Sequence, residues 1–167
     1  MSKEKPPIFL PYLKGERAPI WNADARGAFF GVEENTSLEQ MIYAVMEGVV
    51  FSLYHIYETM GKPDADSIIV SGGAAEIDYL NALKAEVFGK SVMVVKESDV
   101  SALGACMTAA VGVGDYDNYE QVMRDWKQIE KIVEPKGQAA EWFYKRFELY
   151  KNLYNNIKPL YDQWKQI

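Results

Sequence analysis

The chain has 167 residues, enough to bury one hydrophobic core without disulfides or metal ions as staples. Hydrophobic residues make up 49% and charged residues 25%, which argues against disorder, and 18 basic against 24 acidic residues leave a net charge of −6, unsuited to tracking nucleic-acid phosphates. One cysteine excludes an intramolecular disulfide, and one histidine beside it cannot complete the usual zinc sites.

Met1 to Pro7 is polar and leads only to Ile8-Phe9-Leu10 before Pro11, too short for a signal-peptide core. The most apolar stretch, Met41 to Leu53, is interrupted by Glu47 and falls short of a membrane span. The expectation is a soluble protein of the reducing cytoplasm. Residues 1–36 read as loop and short extended pieces, punctuated by Pro6, Pro7, Pro11 and Pro19, with Gly15, Gly27 and Gly31 at turn positions. A loop-rich opening of this length points to function or to missing context.

Thr36-Ser37-Leu38-Glu39-Gln40 offers a capping box in either of two registers. From Leu38 to Met60 apolar residues recur at helical spacing and fill much of the other side too, the pattern of a buried helix, ended by Gly61-Lys62-Pro63. Residues 67–71 predict a buried strand, Gly72-Gly73-Ala74 a turn, and Ile77 to Phe88 a helix with Lys84 and Glu86 on its wet side. A second strand follows at 92–95. Asp99 caps a predicted small-residue helix from Ser101 to Val111. Strand–helix–strand–helix with short joints predicts an α/β layer with parallel neighbours. Beyond Gly114, Asn118 with Gln121 caps a short helix. The tail is a long amphipathic helix whose aromatic stripe (Phe143, Phe147, Tyr150, Tyr154, Ile157, Tyr161, Trp164) packs on the chain's own body, kinked or restarted at Pro159.

The most informative local feature is Ile68-Ile69-Val70-Ser71-Gly72-Gly73-Ala74. Two glycines after a strand leave backbone without a side-chain wall, so a flat ring can lie against it, and a helix start follows with free N–H groups. Taken alone, it also reads as a plain tight turn. Glu76 and Asp78 would repel a polyphosphate, so a nucleotide here would place adenine or ribose against the turn. Gly89-Lys90-Ser91 is not a phosphate loop, because it ends a helix and Lys84 stands where an upstream glycine is required. Gly112-Val113-Gly114 follows a helix and is helix termination. His55 reads as a hydrogen-bonded wall residue and Cys106 as a buried small hydrophobe. Glu16, Arg17 and Arg26 sit in the loop-rich opening, either as loop salt bridges or as groups that hold a polar ligand.

Together the pieces are specific. Phe9-Leu10-Pro11-Tyr12-Leu13-Lys14-Gly15-Glu16-Arg17-Ala18-Pro19 resembles the loop F-L-P-Y-L-x-G-E-R-x-P of the FGGY carbohydrate kinases, and Ala25-Arg26-Gly27-Ala28-Phe29-Phe30-Gly31 resembles their next block. Ser71-Gly72-Gly73-Ala74 with Leu83 to Val92 is similar to the family's adenosine segment, and Asp99 to Ala105 to its acid-x-[ST]-A-L-G-A block. The version Arg17-Ala18-Pro19-Ile20-Trp21-Asn22 leans toward gluconate kinases, with xylulose kinases next. Ser71 in place of a third glycine, Ala75-Glu76 in place of a Lys-Ser pair and Tyr79 in place of tryptophan depart from the family pattern.

The resemblance implies an α/β chain that is the helix-rich C-terminal part of an actin-like (RNase H-like) ATPase lobe. It implies transfer of the γ-phosphoryl group of ATP, with Mg2+, to a sugar or sugar acid, with the aspartate base and the phosphate loops upstream and no catalytic residue or metal ligand in this chain. Ser71, Gly72, Gly73, Ala74 and Ile77 become the adenosine contacts, and Glu16, Arg17 and Arg26 a substrate-side loop. The partners implied are ATP or ADP, the sugar and an N-terminal kinase lobe, with neither nucleic acid nor membrane. The division expected is one C-terminal kinase domain, residues 1–167: a loop-rich opening at 1–36, an α/β core at 37–114 and a helical extension at 115–167. Alone, the chain is expected to be inactive. A five-stranded lobe cannot be built from two predicted strands, so an open sheet edge and an exposed apolar face should invite dimerisation. The rival reading is a non-catalytic binding or assembly module derived from the kinase lobe.

Overall fold

The computed structural model describes residues 5–96, 99–137 and 139–167; the polar start Met1 to Glu4 lies outside them. The chain divides into two compact units, one drawn from 1–64 with 138–167 and the other from 65–137.

In the first unit, β1 (Ile8–Leu10) and β2 (Ala28–Phe30) pair antiparallel, Ile8 opposite Phe30. Helix α1 (Leu38–Thr59) starts in the second of the two capping registers: Ser37 Oγ accepts from Gln40 N and Gln40 Oε1 from Ser37 N. It lies against the fully buried β1. A Cβ on Gly48 would come within 2.3 Å of the Phe9 carbonyl oxygen, so only glycine permits this approach. The long C-terminal helix, numbered α5 in chain order (Ala140–Trp164), packs its aromatic stripe on α1 and β1 as expected. Phe143, Phe147, Tyr150, Tyr154 and Tyr161 are buried, and Phe51 of α1 meets Phe147 and Tyr150 edge-on, each at 5.6 Å.

The second unit carries a three-stranded sheet. β3 (Ser67–Val70) runs parallel to β4 (Ser91–Val95), and β5 (Ile129–Val133) pairs antiparallel on the far side of β4, with a register shift at Val94/Val95. Between β3 and β4 the chain makes a 3-10 turn (Gly73–Glu76) and helix α2 (Asp78–Phe88), which lies against β4 and β5. Helix α3 (Val100–Gly112) is capped by Asp99 and α4 (Tyr119–Trp126) by Asn118, whose side chains accept from Ala102 N and Gln121 N. The parallel β3–β4 pair with α2 between is the α/β arrangement the sequence predicts.

Several expectations are corrected. β1 and β2 are short extended pieces of the loop-rich opening, but β5 is a strand the sequence does not predict, its adjacent charges Glu130 and Lys131 interrupting Ile129, Ile132 and Val133. Helix α1 is not buried all round, because β1 and α5 cover one face and leave Leu38, Ile42, Val45, Val49 and Leu53 exposed. Lys84 is buried, not wet. It lies four residues from Leu80 and three from Asn81, both buried, on the inward line of α2, and its aliphatic stem fills that position. Glu86 is half-buried and accepts from the backbone N–H groups of Lys136 and Gly137, at 2.6 and 3.2 Å. Cys106 is exposed, since the larger Met107 decides which face of α3 turns inward. Helix α5 passes Pro159 as one element without restarting, and Trp164 at its end is exposed.

Candidate functional site

The strand–turn–helix after β3 is built by two glycines with different duties. Gly72 has φ 78° and ψ 178°, a conformation open almost only to glycine, and its carbonyl accepts from Ala75 N at 2.8 Å to close the turn. Gly73 has no such constraint. A Cβ on either would meet nothing within 4 Å, so the chain itself leaves this backbone face open. Ser71, Gly73, Ala74 and Ile77 are exposed and Gly72 half-exposed, so the five residues expected to contact adenosine share one accessible turn. Tyr79 is exposed beside them.

Beneath the turn lies a polar brace that sequence reading missed. Asn81 is fully buried and its Nδ2 donates to the Ala75 carbonyl at 2.6 Å, while Lys84 Nζ donates to Asn81 Oδ1 at 3.3 Å. Burial lowers the Lys84 ammonium below its ordinary pKa. The signal was there in the spacing: Leu80, Asn81 and Lys84 fall on one helical line.

A cavity of about 480 Å³ adjoins the turn, lined by Gly72 and Ala75, by Glu76 and Asp78 at the start of α2, and by the ends of β4 and β5. That volume suits a small organic ligand. Its charged lining is Glu76, Asp78 and Glu130 against Lys96 and Lys131, and Lys131 is paired with Asp78. Acids outnumber bases there, so it suits a ring or a ribose better than a polyphosphate. Among the described residues no group of three or more His, Cys, Asp or Glu side chains converges to hold a metal ion. No helix among them is long and apolar enough to cross a membrane.

The opening loop lies in the first unit. Glu16 and Asn22 bridge through paired backbone hydrogen bonds of 2.9 and 2.8 Å, and Arg17 to Trp21 form the tip between them. Among the described residues neither Glu16 nor Arg26 makes a salt bridge, one of the two readings the sequence left open. Glu16 accepts from Arg17 N at 2.8 Å and Ser52 Oγ at 3.4 Å, while Arg26 donates to the carbonyls of Ala23 and Ala25. Both hold the loop's own shape. Arg17 and Trp21 remain exposed at the tip, Trp21 with φ 46°.

His55 does not make the hydrogen bond expected of it. Its ring meets Phe147 edge-on at 5.9 Å and its Nδ1 is buried without a partner among the described residues. Burial, followed by the nearby Lys151 ammonium, lowers its pKa, with Glu58 pulling the other way.

Comparison with known proteins joins these observations. The model of the FGGY family of carbohydrate kinases, C-terminal domain, matches residues 2–113. A gluconokinase of Bacillus licheniformis is 35% identical over 160 residues, covering 93% of this chain and 31% of that protein. A xylulose kinase of Bacillus subtilis is 30% identical over 156 residues, covering 92% and 31%. The crystal structure of gluconate kinase from Lactobacillus acidophilus superimposes with a TM-score of 0.86 at 31% identity, over 95% of this chain and 32% of that one. The chain thus spans under a third of the length of these relatives.

Proposed function

Because the chain belongs to the FGGY family of carbohydrate kinases, we propose that it supplies the adenosine side of an ATP-dependent phosphoryl transfer to a sugar or sugar-acid hydroxyl. Gluconate is the first substrate proposed and xylulose the second, following the relatives' identities. The observation that carries this reading is the open backbone face at Gly72 and Gly73, at the end of β3 and inside the family match.

In this reading Ser71, Gly72, Gly73, Ala74 and Ile77 take the adenine and ribose of ATP or ADP. The acids at the start of α2 turn the phosphates away from the turn. Phosphoryl transfer needs phosphate donors, a metal and a base on the acceptor hydroxyl, and these come from the N-terminal lobe of the whole enzyme, with Mg2+ neutralising the phosphates. Arg17 is the group of the opening loop left to face substrate, since Glu16 and Arg26 are engaged with backbone and Ser52. Residues 1–167 act as the C-terminal domain of a cytoplasmic kinase.

Titrating ADP into the labelled chain should shift the backbone amides of Ser71 to Ala74 and of Ile77. No shift there at millimolar ADP would overturn the adenosine assignment. The purified chain should phosphorylate neither gluconate nor xylulose with ATP and magnesium, and a measurable rate would overturn the proposed division of labour.

A further inference from the structure

A single residue, Ile77, separates the 3-10 turn from helix α2, and it leaves helical geometry at φ −86° and ψ 99°. In a continuous helix the Ala75 carbonyl would accept from a backbone N–H four residues on; the break at Ile77 denies it that donor. Ala75 is 5% exposed, so its carbonyl needs a partner from the protein. Asn81, in the first turn of α2, supplies it through Nδ2 at 2.6 Å. The N–H of the same Ala75 donates to the Gly72 carbonyl at 2.8 Å. One residue therefore closes the turn with its N–H and is tied to α2 by its carbonyl.

Lys84 decides which way the Asn81 amide points. An ammonium only donates and a carbonyl only accepts, so between them the amide has one satisfactory orientation. Its oxygen faces Lys84 Nζ at 3.3 Å and its nitrogen faces Ala75. Asn81 is fully buried and Lys84 is 6% exposed, and among the described residues Asn81 is the one hydrogen-bond partner of Nζ. A buried ammonium so thinly partnered is unfavourable, and an apolar side chain would pack beside Leu80 and Leu83 without that penalty. What the polar pair adds is orientation, not stability. The turn needs it: Gly72 and Gly73 are conformationally permissive, and nothing stands within 4 Å of where their Cβ atoms would be.

We propose that Asn81 and Lys84 are positioning residues for nucleotide recognition. Through the Ala75 peptide they hold Gly72, Gly73 and Ala74 in the shape whose open face takes the adenosine of ATP or ADP. Both act through backbone and neither meets the nucleotide. The proposal rests on the adenosine reading of this turn.

Two variants of the chain test it. Asn81→Asp keeps the side-chain shape and sets a carboxylate opposite Lys84, but turns an acceptor toward the Ala75 carbonyl. Lys84→Met keeps the unbranched stem and removes the donor that orients the amide. Backbone amide shifts of Ser71 to Ala74 follow titrations with ADP and with adenosine, beside a melting curve and hydrogen exchange at Ala75 N–H. Both variants should melt with the parent and exchange faster at Ala75. Asn81→Asp should weaken ADP and adenosine by the same factor, about tenfold, the size of loss met when a group that orients a ligand contact is removed. Lys84→Met should weaken both equally and by less. A merely structural role would lower the melting temperature and single out no ligand moiety. Parent-like binding by a folded Asn81→Asp overturns the proposal, as does a loss larger for ADP than for adenosine, which would act on the phosphates. If Asn81→Asp misfolds or melts lower, Lys84→Met decides by the same two criteria. If the parent binds neither ligand, the adenosine reading falls and the proposal with it; a binding parent with unaffected variants removes the proposal alone.

Discussion

The guanidinium of Arg146 grips the carboxylate of Glu47 across 99 positions of sequence, Nε at 2.9 and 3.0 Å from its two oxygens and Nη2 at 2.6 Å. The same guanidinium donates to the carbonyls of Pro6 and Pro7, each at 2.9 Å, and lies over the Trp142 ring at 4.7 Å. One side chain of α5 thereby ties α1 and the entry to β1 together. Burial pushes the Glu47 carboxyl above its ordinary pKa, against the pull of Arg146. Removing one partner strands a charge in the core, so Arg146→Met should cost about 3–5 kcal/mol. Adding Glu47→Leu should recover much of that loss, though not the part owed to the Pro6 and Pro7 carbonyls. Urea midpoints of the two variants check this. A double variant no more stable than Arg146→Met would contradict it.

The hydroxyls of Tyr12 and Tyr150 share a buried hydrogen bond of 2.6 Å. Burial raises both phenols above the ordinary tyrosine range; the hydrogen bond from Tyr150 offsets part of this for Tyr12, whereas Tyr12 and then Glu16 add to it for Tyr150. A raised folded pKa means stability that is full below the unfolded value of about 10 and lost as pH climbs above it. Alkaline unfolding should therefore begin near that value, with the last tyrosinate absorbance appearing together with the loss of helix. Tyr12→Phe with Tyr150→Phe should move the onset upward. Full ionisation of all tyrosines in a still-folded protein would refute the argument.

Acid stability carries the opposite sign. The folded His55 pKa lies below its ordinary value of about 6.5, so its contribution is full above that pH and is lost as pH falls through the window beneath it. It is the chain's single histidine, so a loss of stability as pH falls just below about 6.5 is its signature, whereas the raised Glu47 carboxyl works with the opposite sign. Substituting His55→Leu should flatten the melting temperature across that window. An unchanged pH profile in the variant would show that Lys151 and Glu58, which face the ring, compensate fully.

Local chemistry made much of the fold legible. Ser37 with Gln40, Asp99 and Asn118 cap the helices expected of them, because a cap is decided within four residues. The turn after β3 was legible for the same reason. What escaped depends on partners far away in sequence. β5 gives a weak strand signal because the adjacent charges Glu130 and Lys131 break the alternation of Ile129, Ile132 and Val133, and only its pairing with β4 fixes it. Lys84 was assigned to water on its charge, although its place on the helix line directs it inward. The Asn81 brace spans six residues and no motif announces it. The exposed line on α1 was read as core because periodicity reports an apolar face without saying what covers it.

Gly72 and Gly73 separate folding from binding. Gly72→Ala must hold a Cβ at φ 78°, ψ 178°, and should cost roughly 1–3 kcal/mol of stability. Gly73→Ala meets no such strain, since its φ is not positive and its Cβ would find open space, so its stability should stay within about 0.5 kcal/mol of the parent. The new methyl would nevertheless stand on the face that the adenosine ring is proposed to occupy. ADP binding by Gly73→Ala should therefore weaken about tenfold, roughly 1.4 kcal/mol, with its thermal unfolding unchanged. Calorimetric titration beside a melting curve reads both quantities on one sample. If Gly73→Ala binds ADP as the parent does, the nucleotide lies elsewhere and the two glycines serve the turn alone.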